Sequence, residues 1–152
     1  MSTVRAFKFS TATQWRQGER AVTIARGCPM ISVGAPPELR GDPGVWSPEQ
    51  LLVSSAASCF AITLAAMARA RGTELERIDV NGLGHVENAP DGGLQFVAIE
   101  LLVEVEAAGE HPHAVQALVA EAERRCIVGR ALDVPISVEL VLAKTVDVAL
   151  SG

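Results

Sequence analysis

Hydrophobic and polar positions change period several times along the chain, and each change marks an element. Residues 2–11 alternate loosely around Val4, Phe7 and Phe9 and predict a first strand. A turn at Gly18-Glu19 precedes AVTIA at residues 21–25, a second strand, and residues 31–33 form a short third. From residue 48 to 71 the apolar positions follow helical spacing but leave no polar side. Leu51, Leu52, Val53, Ala56, Ala57, Phe60, Ile62, Leu64 and Met67 cover nearly the whole circumference. Such a helix is expected to be buried all round, enclosed by a sheet and by a second subunit. Its ends are signposted. Ser47, Pro48 and Gln50 form a capping box with proline at the first helical position, and Gly72 suits the residue after the last turn. Residues 78–87 and 94–106 predict two longer strands joined by NAPDGG. In the second, Val97, Ile99, Leu101, Val103 and Val105 alternate with Ala98, Glu100, Glu104 and Glu106. Val115, Leu118, Val119, Ala122 and Cys126 fall at 3.6-residue spacing, predicting a helix over 113–125 whose inner face Cys126 continues. A final strand over 134–148 places Ile136, Val138, Leu140 and Leu142 on one face. The order β-β-(β)-α-β-β-α-β predicts an α+β fold. The loop at 34–47 holds three prolines and three glycines, and so long a loop is expected to be functional or to wrap a partner.

Composition narrows the function. At 152 residues the chain is expected to form one domain, spanning 1–152. Its 49% hydrophobic content excludes a wholly disordered chain. A net charge of −5 with no basic face argues against nucleic acid or an anionic membrane surface as partner. Aromatics at 4%, with no Tyr, argue against base stacking. The apolar stretch at 51–68 is interrupted by Ser54, Ser55, Ser58 and Thr63 and flanked by Gln50 and Arg69, so it reads as a core helix and not a membrane span. Residues 1–10 show no basic-plus-apolar signal segment. Three cysteines suit neither a disulfide scaffold nor an even framework, and the expectation is a cytoplasmic protein in a reducing compartment.

Within that setting Cys59 and Cys126 are the candidate chemistry. Cys59 sits amid small residues in the middle of the apolar helix, and Cys126 lies on the inner face of the second helix. A thiol peroxidase needs a thiolate with a cation nearby, a second thiol to capture the sulfenic acid, and, for organic peroxides, an apolar pocket. The chain holds all three kinds of residue. The two lysines, Lys8 and Lys144, lie near its ends, so the cation falls to an arginine. Arg40 stands in the loop before the helix and Arg16 in the turn after the first strand. Glu49 either caps the helix or orients one of them through a bidentate pair. Glu49 precedes Cys59 by ten residues, about 15 Å along a straight helix, so one arginine reaches both only through a bend or a side-on approach. Cys28 has no spaced partner and is assigned no role. His85, His111 and His113 match no metal-ligand spacing, and no phosphate-cradling glycine loop occurs.

Ser47-Pro48-Glu49-Gln50-Leu51-Leu52, then Ala57-Ser58-Cys59-Phe60, then Cys126 before a final strand, resemble the OsmC/Ohr family of osmotically inducible and organic hydroperoxide resistance proteins. The resemblance spans essentially the whole chain. It implies an OsmC-like fold of antiparallel-type sheets around a long buried central helix, in an intertwined homodimer with its active sites at the interface. It implies reduction of organic hydroperoxides, with Cys59 peroxidatic and Cys126 resolving. An arginine paired with Glu49 would activate the thiol; Arg40 is favoured and Arg16 is the alternative. It further implies an external dithiol reductant, a lipoyl group in some branches, and no metal or flavin. After the second cysteine the family often has proline and a serine-containing turn, where this chain has Cys126-Ile127-Val128-Gly129-Arg130. The alternative reading is a non-catalytic OsmC-like module that binds a small hydrophobic ligand at the dimer interface and keeps its cysteines as core residues.

Overall fold

A computed structural model describes residues 6–107 and 109–143. The chain divides into two compact units, Met1–Leu51 and Leu52–Gly152. The first is an antiparallel meander of β1 (Ala12–Gln14), β2 (Ala21–Ile24) and β3 (Ile31–Val33), in that order. The strand expected over 2–11 is not found in its described part: residues 6–11 are not in a strand, and 2–5 lie outside the described residues. The turn fixes this. The Glu19 N–H bonds the Arg16 carbonyl at 3.0 Å, which sets Gln14 opposite Val22 and Ala12 opposite Ile24. The chain turns again at Gly27, so residues 6–11 find no partner strand on β2. Within the long loop, Pro37–Leu39 forms one 3₁₀ turn, and the Gly34 N–H bonds the Trp46 carbonyl at 2.9 Å.

Helix α1 spans Pro48–Arg71, beginning in the first unit and continuing through the second. Its start is the expected capping box: the Gln50 N–H donates to Ser47 Oγ and the Ser47 N–H to Gln50 Oε1, both at 3.1 Å. Its end is a Schellman motif around Gly72 (φ 67°), with Thr73 N–H on the Ala68 carbonyl and Gly72 N–H on that of Arg69.

The second unit holds β4 (Arg77–Asn88) and β5 (Leu94–Glu106), an antiparallel hairpin closed by the Ala89 N–H on the Gly93 carbonyl. Helices α2 (Pro112–Arg125) and α3 (Ile127–Ala131) follow, then β6 (Ile136–Leu142). Strand β6 pairs with β5 in parallel, correcting the expectation of antiparallel sheets at this one pairing. A parallel return needs a long crossover, and α2 and α3 provide it. Of the strand expected over 134–148, residues 144–148 lie outside the described residues.

The core forms where Phe60, Leu64 and Ala68 of α1 meet Ile99, Leu101, Val103 and Val105 of β5 and Val115, Leu118, Val119 and Ala122 of α2. Gly82 brings helix and sheet close, because a Cβ there would lie 2.6 Å from Val53 Cγ1. Within one chain α1 buries a single stripe, Ala56, Phe60, Leu64 and Ala68, while Ile62 is 70% exposed. The expectation of burial all round therefore fails for the lone chain. Its sheet has three strands and covers one side only.

Candidate functional site

Cys59 lies beside the buried stripe of α1, one residue before Phe60, and packs against the core. Cys126 is buried in that core. It does not continue α2, as its spacing predicted. Its backbone is extended (φ −62°, ψ 114°), and it joins two helices. Its N–H closes the last turn of α2 on the Ala122 carbonyl at 2.9 Å, and its carbonyl accepts the first α3 bond, from Arg130 at 3.0 Å. Its sulfur caps α3, accepting the Gly129 N–H at 3.4 Å. Cysteine is not among the usual N-cap residues, and α3 has only five residues, so periodicity did not reveal this helix.

The fold packs Cys59 against the core that holds Cys126, near enough for each thiol to influence the other, and their proton affinities diverge. Burial pushes the Cys59 thiol up. The Val128 amide, the Cys126 thiol, the Ile127 amide and the Thr63 hydroxyl pull it down, and the net direction is down. For Cys126 burial also raises the pKa, and the neighbouring Cys59 adds to it. The Gly129 and Val128 amides offset only part, and the net direction is up. The pair as a whole thus places the more available thiolate on Cys59 and retains the proton on Cys126. The Thr63 hydroxyl also donates to the Cys59 carbonyl at 2.7 Å, which holds it on this turn of the helix.

The donors to Cys59 are residues the sequence did not single out. Ile127 and Val128 act through the free amides of the first turn of α3. Such groups have no side-chain signature. The one available signal was a non-proline residue after Cys126, which leaves an N–H in place.

The other candidates belong to the first unit. Glu49 stands in the first turn of α1, with Oε2 buried and unpartnered among the described residues. Arg16 is exposed at the turn after β1. Arg40 ends the 3₁₀ turn with a left-handed backbone (φ 66°), unusual for a non-glycine residue. It lines a cleft of about 420 Å³ with Trp15, Arg20 and Asp42. Arg20 pairs there with Asp42 at 3.2 Å. Among the described residues no ion pair joins Glu49 to Arg16 or Arg40. Cys28 is exposed. His111 caps α2, its Nδ1 accepting the His113 N–H at 3.3 Å.

A cysteine at the centre of a long core helix, facing a second at a helix junction in an α+β fold, defines a dithiol protein built around one central helix. The chain belongs to the OsmC family: the family model described as OsmC-like protein matches residues 41–141. It is 28% identical over 122 residues to the uncharacterized protein YmaD of Bacillus subtilis, covering 78% of this chain and 81% of that one. An OsmC-like protein from Vibrio cholerae has the same fold, with a TM-score of 0.82 at 14% identity over 90% of this chain and all of that one. So does the organic hydroperoxide resistance protein OhrB of Bacillus subtilis, with a TM-score of 0.63 at 21% identity, over 90% and 98% of the two chains.

Proposed function

We propose that this protein is a thiol-dependent peroxidase that reduces organic hydroperoxides through Cys59, with Cys126 as the resolving thiol. The observation that carries this reading is the packing of Cys59 against the core that holds Cys126, with the Val128 and Ile127 amides favouring the thiolate on Cys59. Family membership and the name of OhrB agree with it. The Cys59 thiolate attacks the distal peroxide oxygen, the O–O bond breaks, and the alkoxide takes a proton and leaves as the alcohol. Cys59 is then a sulfenic acid. Cys126 attacks its sulfur, the hydroxyl departs as water with the Cys126 proton, and a Cys59–Cys126 disulfide remains. An external dithiol, such as a lipoyl group, supplies two electrons to reopen it. No metal or organic cofactor takes part.

Glu49 is assigned the orientation of an arginine, Arg40 in preference to Arg16. The buried, unpartnered Oε2 supports this, because a carboxylate oxygen without a donor is costly unless a cation reaches it. The protein is proposed to be soluble and cytoplasmic and to act as a homodimer.

The test is peroxide-driven disulfide formation in reduced protein, read by non-reducing peptide mapping. Stoichiometric cumene hydroperoxide should link Cys59 to Cys126 faster than hydrogen peroxide does. Cys59→Ser should abolish turnover. Cys126→Ser should allow one rapid turnover and then stall. Thiols that stay reduced would defeat the proposal in favour of a ligand-binding module.

A further inference from the structure

A cavity of about 200 Å³ lies behind the second thiol. Its walls combine apolar side chains, Phe60, Leu101, Val134 and Val138 among them, with polar surface of similar extent, and the exposed Glu123 and Arg130 carry it to the surface. Cys126 lines this cavity; Cys59 is not part of its lining. Cys126 is otherwise almost wholly enclosed, at 4% exposure. The peroxide chemistry assigned to Cys59 does not use this space, so a buried thiol has an entrance of its own.

We propose that the cavity admits the reducing thiol and that reduction begins at the sulfur of Cys126. The inference rests on the Cys59–Cys126 disulfide of the proposed function. A thiol–disulfide exchange has two possible targets, and two features select between them. The first is access. An aliphatic thiol entering past Glu123 and Arg130 meets the Cys126 sulfur, and the Arg130 guanidinium, which makes no ion pair among the described residues, favours the arriving thiolate. The second is the leaving group. Exchange is faster when the expelled thiolate is the better stabilised one. Attack at Cys126 expels Cys59, which the Val128 and Ile127 amides receive as an anion.

The step balances. The thiolate forms a bond to Cys126 Sγ as the Sγ–Sγ bond breaks, and the bonding pair leaves with Cys59. The second thiol of a dithiol then attacks the mixed disulfide at the reductant's sulfur. It closes the reductant's own disulfide and releases Cys126, which takes up a proton. The dithiol is oxidised by two electrons and the protein disulfide is reduced by two.

The experiment starts from disulfide made with diamide, so that it does not depend on peroxidase activity. A monothiol, 2-mercaptoethanol, is added. The reaction is quenched in acid after milliseconds to seconds, alkylated and mapped. The expected adduct sits on Cys126, with Cys59 alkylated. An adduct on Cys59 with Cys126 free would overturn the proposal, as would failure of diamide to link the pair. Val134→Phe narrows the cavity and should slow reduction about tenfold, leaving single-turnover disulfide formation by peroxide unchanged. Val134→Ala should not slow it. Unchanged reduction in a folded Val134→Phe protein would remove the cavity as the route. If peroxide makes no disulfide but the diamide-made one opens through Cys126, the peroxidase reading fails and this one stands.

Discussion

The acidity of Cys59 comes from groups that no side chain announces. The Ile127 and Val128 amides point to a sulfur 68 and 69 residues earlier in the chain because Cys126 turns the backbone from α2 into α3. Ile127→Pro isolates one of them. Proline is well placed at the first position of a helix, and Cys126 already has the extended backbone that a residue before proline prefers. The fold should therefore persist while one donor disappears. A hydrogen bond to a charged group is worth ~1.5–3 kcal/mol, so alkylation of Cys59 at neutral pH should slow roughly tenfold or more. The sign follows from the lowered pKa. Native Cys59 stays ionised at pH values where an ordinary thiol is protonated, and loses reactivity as pH falls through its pKa. Losing a donor moves that limb to higher pH. The measurement is iodoacetamide rate against pH, with Cys28→Ser and Cys126→Ser in both proteins; an unmoved profile would mean the Ile127 amide contributes nothing. Both thiols were legible in the sequence as candidate residues, Cys59 on its helix, while the extended junction at Cys126 was not. Their donors were not, because an amide proton is common to every residue but proline, and only the tertiary path aims it.

Helix α1 and strand β5 were legible to the residue, for a physical reason: each carries a long, unbroken period with signals at both ends. Strand β1 and the parallel direction of β6 were not, since pairing partner and direction depend on turns and crossovers elsewhere. Close contact between elements is similarly hidden, and Gly82 is the case to test. Its position on β4 is open only because it has no Cβ, and Val53 of α1 fills the space. Gly82→Val should cost about 1–3 kcal/mol as overpacking, read as a lowered urea midpoint with an unchanged slope. Adding Val53→Ala should recover part of the loss, since two residues in contact are not additive. Full additivity would show that the helix relieves the clash by moving as a whole. At the start of α1, Ser47→Ala removes the hydroxyl that accepts the Gln50 N–H, keeps the backbone bond to Gln50 Oε1, and should cost ~1 kcal/mol by the same assay.

The exposed side of α1 bears on the whole molecule. Ser58, Ile62 and Ala66 repeat every four residues and are exposed, offset by two from the buried stripe of Ala56, Phe60, Leu64 and Ala68. Two residues of helix turn by about 200°, so the stripes lie on opposite sides. By length and composition alone the helix would suffice to cross a membrane. Its exposed stripe argues for another cover. Serine and alanine around one isoleucine offer little to lipid, but they let a second helix approach closely while Ile62 packs into it. The proposed homodimer would bring such a helix from a second copy of the chain. Sedimentation equilibrium at micromolar concentration should give twice the chain mass. Ile62→Glu would place a charge in the contact, shift the equilibrium toward monomer and lower the melting temperature. In the native protein that temperature should rise with concentration, since association stabilises only the folded chain. A native protein that sediments as a monomer and melts independently of concentration would leave Ile62 a solvent-facing residue and assign the apolar helix to some other partner.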